Sequence, residues 1–302
     1  MIGGLGVVGT FFPLRKSGFF SKRSRLLVSV RAEMTSDECH NSQAWDDLAR
    51  EGASFANPVR PVDFQNPGRI INPFGWLPTP YEGRRVLCLA AGGGRHGPLF
   101  AAAGAVTTVV DISEEMLKLD RWVAERESLT LTTLKTSMSA LEELGTAVFD
   151  IVLQPVSSCY VSDLNQVYRE VARVLKPGGV YVVQHKQPIS LQASSVPDRE
   201  GRYVICEPYD REGALPPVTG SEHREPGTHE YLHRLENILG GLCRAGFVID
   251  DVREPRHGDP EADPGSFRHR SRYVPPYLAV RAIRSPEMVP LPESLIWTPP
   301  SS

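Results

Sequence analysis

Apolar positions along this chain fall into two kinds of run. Val86–Leu89, Val106–Val110, Phe149–Leu153 and Val180–Val183 are short and nearly unbroken, as strands buried on both faces of a parallel sheet should be. Between them the apolar spacing changes to three and four residues. Leu164, Val167, Val171 and Val174 form one such stripe behind a cap at Ser162, and Leu235, Ile238, Leu239 and Leu242 form another within 230–245. Arg95–Ala103 is also read as a helix, as is the segment from the N-cap Ser113 to Glu127, where Glu114 and Glu115 occupy the first turn. Thr130–Lys135, Phe247–Val252 and Tyr277–Ile283 supply three more strands, and Glu38–Glu51, with Trp45 and Leu48, a helix ahead of them all. Strands alternating with helices predict an α/β fold.

The punctuation between these elements carries the chemistry. Gly92, Gly93 and Gly94 follow the first strand at once, removing side chains where the backbone turns and a ligand approaches the free N–H groups of the next helix. The second strand ends in Asp111, where a carboxylate can accept from both hydroxyls of a ribose. The pattern Gly92-Gly93-Gly94-Arg95-His96-Gly97 also satisfies GxGxxG, so a nicotinamide cofactor is one reading of the turn. A short-chain dehydrogenase would place Tyr four residues before Lys, and none of Lys118, Lys135, Lys176 or Lys186 has one.

Four stretches in order, VLCLAAGGGRHG, VVDISEEML, FDIVLQPVS and VLKPGGVYVV, resemble the successive motifs of class I S-adenosylmethionine-dependent methyltransferases. The resemblance implies a Rossmann-like, seven-stranded, mostly parallel sheet with helices on both faces and an antiparallel last strand. It implies S-adenosyl-L-methionine as cofactor and methyl transfer by in-line displacement to a small-molecule acceptor. By the same resemblance Ala90, Gly92 and Gly94 lie under the methionine part, Asp111 and Ile112 hold the ribose and the adenine edge, Met138 lies near adenine, and Gln154 faces the reactive end; Gly93 and His96, in the same turn, are also expected to contact the cofactor. The family pattern has an acid where Cys88 stands, a glycine at Ala90 and an Asp at Ser137. An acid at the first would orient the cofactor's ammonium and one at the last would accept from the adenine amine. A degenerate cofactor-binding domain without activity is therefore a second reading.

Substrate contacts are less marked. His185, at the end of the fifth strand, is the candidate general base, since imidazole titrates near neutrality. Cys159 and Tyr160 follow the fourth strand and are candidates to line the pocket. His229-Glu230-Tyr231-Leu232-His233 is an HExxH, which on a helix would set two imidazoles one turn apart for zinc; no third ligand stands in a motif, so no metal is assigned, and His229 and His233 are kept as candidate acceptor contacts.

At 302 residues and 41% hydrophobic composition, the chain can bury a sizeable core. No apolar run reaches membrane-spanning length, and the five cysteines, Cys39, Cys88, Cys159, Cys206 and Cys243, are scattered without a CxxC pair. Residues 1–34 stand apart. Arg15, Lys16, Lys22, Arg23, Arg25 and Arg31 among four serines, with no acid before Glu33, are the composition of a transit peptide, and the Val30-Arg31-Ala32-Glu33 sequence favours a chloroplast address over a mitochondrial or cytosolic one. Removing those six basic residues takes the formal charge from −3 to −9, a poor match for nucleic-acid phosphates. The expected organisation is a transit segment at 1–34, a helix and strap over the cleft at 35–83, and a methyltransferase domain at 84–284 containing a substrate cover at 187–228. A Pro-rich tail, 285–302, closes the chain. Nothing in the sequence sets the oligomeric state.

Overall fold

The computed structural model describes residues 34–218 and 221–286. The expected transit segment, apart from its last residue, and all but the start of the tail lie outside the described residues.

Seven strands, β1 (Arg85–Leu89), β2 (Val106–Asp111), β3 (Thr132–Lys135), β4 (Phe149–Gln154), β5 (Leu175–Lys186), β6 (Phe247–Arg253) and β7 (Tyr277–Arg284), form one sheet in the order β3-β2-β1-β4-β5-β7-β6. β1 to β5 pair in parallel, and β7 runs antiparallel between β5 and β6. The helices are α1 (Ser36–Arg50), α2 (Gly68–Ile71), α3 (His96–Ala102), α4 (Glu114–Arg126), α5 (Leu164–Val174), α6 (Pro188–Gln192), α7 (Gly241–Arg244) and α8 (Phe267–Arg270).

The unbroken apolar runs are explained by a core on each face of the sheet. Along β1, Leu87 and Leu89 point to a core shared with the α5 stripe Leu164, Val167, Val171 and Val174. Val86 and Cys88 point the other way, onto Leu99 and Phe100 of α3 and Leu117 and Val123 of α4. Each side chain fully buried in this way contributes about 1.5–3 kcal/mol relative to exposure. The strap joins the second core through Val59, Ile71, Leu77 and Tyr81.

Several boundaries differ from expectation for local reasons. α1 starts at Ser36 because Thr35 and Glu38 form a reciprocal capping box. Asp163, not Ser162, caps α5, its carboxylate accepting from the N–H groups of Asn165 at 2.9 Å and Gln166 at 3.3 Å. β5 extends past Val183 to Lys186 because β7 pairs with it as far as Lys186↔Tyr277. The expected helix over 230–245 is helical only from Glu236 to Arg244, and its first turn is π-helical. Before it the chain is extended: Tyr231 N–H donates to Cys159 O at 2.7 Å and Leu215 N–H to Glu230 O at 2.7 Å.

Candidate functional site

In an open parallel sheet the chain leaves its first strand toward one edge and later returns to build toward the other, and the loops part at the carboxyl ends of the strands between. Here that point lies between β1 and β4, and a cavity of about 490 Å³ opens there, a size suited to small-molecule ligands. Its floor comes from Ala90, Ala91 and Gly92 after β1, Asp111 and Ile112 at the end of β2, Thr136, Ser137 and Met138 after β3, Pro155, Val156 and Ser157 after β4, and Gln184 on β5. Its roof includes Glu38, Asn41 and Trp45 of α1. Glu225, His257 and Tyr277 close the β5 side with Tyr160. A smaller chamber of about 90 Å³, lined by strap residues from Ile70 to Leu77, shares His96, Pro155 and Gln184 with the larger one.

The glycine turn is held by two carboxylates. Asp111 Oδ2 accepts from Gly92 N–H at 2.8 Å and Oδ1 from Ser113 N–H at 2.9 Å. Burial raises the Asp111 pKa, opposed by the N–H groups of Ser113, Gly92 and Ile112. A Cβ on Gly92 would stand 2.7 Å from Met116 Cβ and 2.9 Å from Asp111 Oδ2, so the strand end and the acid fit together only around glycine. Asp120, fully buried on α4, accepts from Gly93 N–H at 2.9 Å and Gly94 N–H at 3.0 Å through Oδ2, while its Oδ1 has no partner. Burial, with Asp111 nearby, pushes its pKa up to about 8 against those two donors. Ala90 takes a left-handed φ of 46°, the conformation that a glycine would adopt most easily.

α1 docks on this frame through a polar face. Asp46 accepts from Ser113 Oγ and, at 3.0 Å, from Glu115 N–H, which places a carboxylate on the N-terminus of α4. Ser42 Oγ donates to Ile112 O at 2.9 Å. Glu38 Oε1 accepts from the hydroxyls of Ser137 and, at 2.8 Å, Ser139, and Oε2 accepts from Thr35 N–H at 2.8 Å. Burial disfavours the Glu38 charge, but these donors outweigh it and the pKa falls below its ordinary value.

On the other side lies a buried charge cluster. Lys186 Nζ donates to Glu225 Oε2 and Glu230 Oε1, each at 2.5 Å, and Arg224 Nε donates to Glu230 Oε2. Burial penalises the ammonium, but the two carboxylates hold its pKa above the usual lysine value. Tyr160 OH also donates to Glu225 Oε2, at 2.5 Å. His257 packs edge-on against Phe267 and Tyr277, and its buried Nε2 has no hydrogen-bond partner. Burial, then the charge of Arg268, lowers its pKa, so the imidazole is neutral at neutral pH.

Of the residues expected from the sequence, Ala90, Gly92, His96, Asp111, Ile112, Met138 and Tyr160 line the larger cavity. Gly93 and Gly94 do not; their N–H groups are spent on Asp120 and their φ values of 110° and 69° make the turn itself. His96 has its pKa lowered to about 4 by burial and the charge of Arg95. Gln154 reaches only the smaller chamber, its amide bonded to Tyr181 OH, Ser157 Oγ and Met138 Sδ. His185 is enclosed, 1% exposed, with Nδ1 2.6 Å from Ser158 Oγ and its pKa pulled down to about 3 by burial and His233. A base so sealed from the cavity positions the Ser157–Tyr160 turn rather than meeting an acceptor. Cys159 is likewise buried, in a separate apolar cluster with Leu191, Leu215 and Leu232, and burial raises its thiol pKa.

The HExxH segment is corrected by the extended backbone at 229–233, which cannot present two imidazoles one turn apart. His229 Nδ1 bonds Asp37 at 2.9 Å and its ring stacks on His40 at 3.8 Å. His233 Nε2–H donates to Val161 O at 2.9 Å, and Glu230 is the fully buried partner of Lys186. The histidines tie this segment to α1 and to the turn after β4; neither lines the cavity. Among the described residues no three His, Cys, Asp or Glu side chains are grouped to hold a metal, and no helix is long and apolar enough to cross a membrane. Sequence reasoning missed Glu38, Glu225 and His257, each of which comes from a polar segment with no motif.

Comparison with known proteins agrees with this geometry. A family model described as a methyltransferase domain matches residues 87–183. An uncharacterized methyltransferase of Bacillus subtilis is 32% identical over 259 residues, covering 81% of this chain and 97% of that one. A ubiquinone biosynthesis O-methyltransferase of Paracidovorax citrulli is 32% identical over 216 residues, 70% of this chain and 81% of its own. Among solved structures, an S-adenosylmethionine-dependent methyltransferase from Mesorhizobium loti superposes with a TM-score of 0.58 at 25% identity, covering 73% of this chain and all of that one.

Proposed function

This chain belongs to the class I S-adenosylmethionine-dependent methyltransferases, and from that premise we propose that it methylates a hydroxyl oxygen on a small, largely apolar, aromatic acceptor. The observation that carries the reading is the half-buried imidazole of His257, which lines the cavity wall beside Tyr277. A hydroxyl is a poor nucleophile until its proton leaves, and a neutral imidazole at that point can take it.

The bound cofactor supplies a methyl carbon activated by its sulfonium. The protein holds the acceptor in line and keeps water out. His257 would take the acceptor's proton as the methyl group passes to oxygen, the electrons of the C–S bond remaining on the cofactor's sulfur. Trp45, Val156, Val161, Tyr160 and Tyr277 give the acceptor apolar walls, and the chamber under Phe74 and Trp76 has room for an apolar substituent. The relatives that act in ubiquinone biosynthesis as O-methyltransferases support an oxygen acceptor. The test is transfer of radiolabelled methyl from S-adenosylmethionine to a panel of catechols, substituted phenols and their amino and thiol counterparts. Labelling of the hydroxy compounds alone is expected; labelling only of amines or thiols refutes the oxygen reading.

A further inference from the structure

We propose that Glu38 of α1 is the group that recognises the exocyclic amine of the cofactor's adenine, replacing from a distant helix the acid absent at Ser137. The inference rests on the methyltransferase reading and adds to it a residue that lies before every motif.

Among the described residues three carboxylates reach the cavity, and their partners separate their roles. Asp111 stands at the end of β2, bound to Gly92 and Ser113, where a ribose diol is accepted. Glu225 already has the ammonium of Lys186 and the phenol of Tyr160 on one oxygen, so its charge is matched. Among the described residues, Glu38 has no cation within hydrogen-bond reach. Its donors are hydroxyls and one backbone N–H, and they are numerous enough to hold it ionised in spite of burial. Two of the lone-pair sites on Oε1 are taken and one on Oε2, so an acceptor site on Oε2 remains for a ligand donor.

Sheet order says which donor. Ser137 and Ser139, which hold Glu38, follow β3 at one edge of the parallel strands. Gln184 and Tyr277, on β5 and β7, border the cavity on the opposite flank, with His257 and Glu225. A nucleoside with its ribose on Asp111 of β2 lies between them. One half must extend over β3 and the other over β1 and β4 toward the acceptor. The reactive sulfonium belongs to the acceptor side, so the base lies over β3. On an adenine the exocyclic amine is the neutral N–H donor free to meet an ionised acceptor. The bond from Ser42 Oγ to Ile112 O fixes α1 beside the ribose acid, so Glu38 is held in place from both ends.

The experiment is isothermal titration of the full chain with S-adenosylhomocysteine and with S-inosylhomocysteine, whose 6-oxo group turns the donor into an acceptor. The wild type should prefer the adenosyl ligand by roughly tenfold to a hundredfold, the range for a hydrogen bond to a charged group. In Glu38→Ala the preference should fall to about threefold or less, and in the double variant Glu38→Ala with Ser137→Asp it should return. Because each protein is read as a ratio of two ligands, a loosened α1 cancels. Equal weakening of both ligands in Glu38→Ala, with the ratio kept, would assign Glu38 only to the capping box and overturn the proposal. So would a wild type that binds both ligands alike. A wild type that binds neither would remove the methyltransferase reading along with it.

Discussion

Asp120→Asn is a test of how the glycine turn is built, because the substitution keeps the shape of the side chain and removes its titration. In the wild type Oδ2 takes both N–H groups of Gly93 and Gly94 and Oδ1 is unpartnered. Asparagine can place its carbonyl on the same two donors. The folded pKa of Asp120 is raised from 3.8 to about 8, chiefly by burial. A group with its folded pKa raised gives its full stability below the unfolded pKa and loses it as pH climbs to the folded one. Between about pH 4 and pH 8 the folded chain therefore holds one proton more than the unfolded chain, and stability falls by about 1.4 kcal/mol per pH unit from this residue alone. Urea unfolding at constant ionic strength, without cofactor, at about pH 5.5 and pH 7.5 should show the wild type losing about 2–3 kcal/mol relative to Asp120→Asn across that interval. Taking the difference between the two proteins cancels the pH response of every other group that the substitution leaves alone. Stability curves that run parallel within about 0.5 kcal/mol would mean that Asp120 is ionised in the fold and that the turn is an anionic site, contrary to the reasoning.

Gly92→Ala forces a Cβ to within 2.9 Å of Asp111 Oδ2 and should cost about 1–3 kcal/mol in urea unfolding and more than tenfold in S-adenosylhomocysteine affinity by titration calorimetry. Lys186→Met leaves the buried Glu230 with Arg224 and Glu225 with the Tyr160 hydroxyl, and a loss of about 3–5 kcal/mol is expected in the same unfolding assay. His257→Asn should lower methyl transfer to a hydroxy acceptor by roughly 10²–10⁴ while leaving S-adenosylhomocysteine affinity unchanged. Because the His257 pKa is lowered, the wild-type rate should hold as pH drops through 6.5 and fall only in more acid solution, as followed by a pH–rate profile.

Much of the fold was legible because each apolar period reports a neighbour that the sheet supplies. Leu87 and Leu89 against Val86 and Cys88 could be assigned to a doubly covered strand without knowing what covered them. The helix expected over 230–245 failed at its start for a physical reason. The stripe Leu235, Ile238, Leu239, Leu242 was extrapolated backwards over residues whose backbone groups bond Cys159 and Leu215, and whose Glu230 is drawn into a charge cluster. A period cannot register a competing tertiary hydrogen bond.

The site divides the same way. Glycine turn and ribose acid lie within twenty residues of one another, so their spacing is a local signal. The acids that complete the frame are distant from what they serve. Asp120 is 27 positions from Gly93, and Glu38 is 99 from Ser137. Each nevertheless stands beside a departure from the family pattern. Burial, with Asp120 beside it, raises the thiol pKa of Cys88, and Glu38 is bonded to Ser137. An acid at Cys88 would be a second carboxyl in the site whose burial already keeps Asp120 protonated, and one at Ser137 would set a second carboxylate against Glu38 in the cavity wall. Like charges at such range cost several kcal/mol unless one takes up a proton. The two uncharged residues are therefore what these neighbours require, and their reading as marks of a lost site came from viewing each position without the partner that folding brings to it.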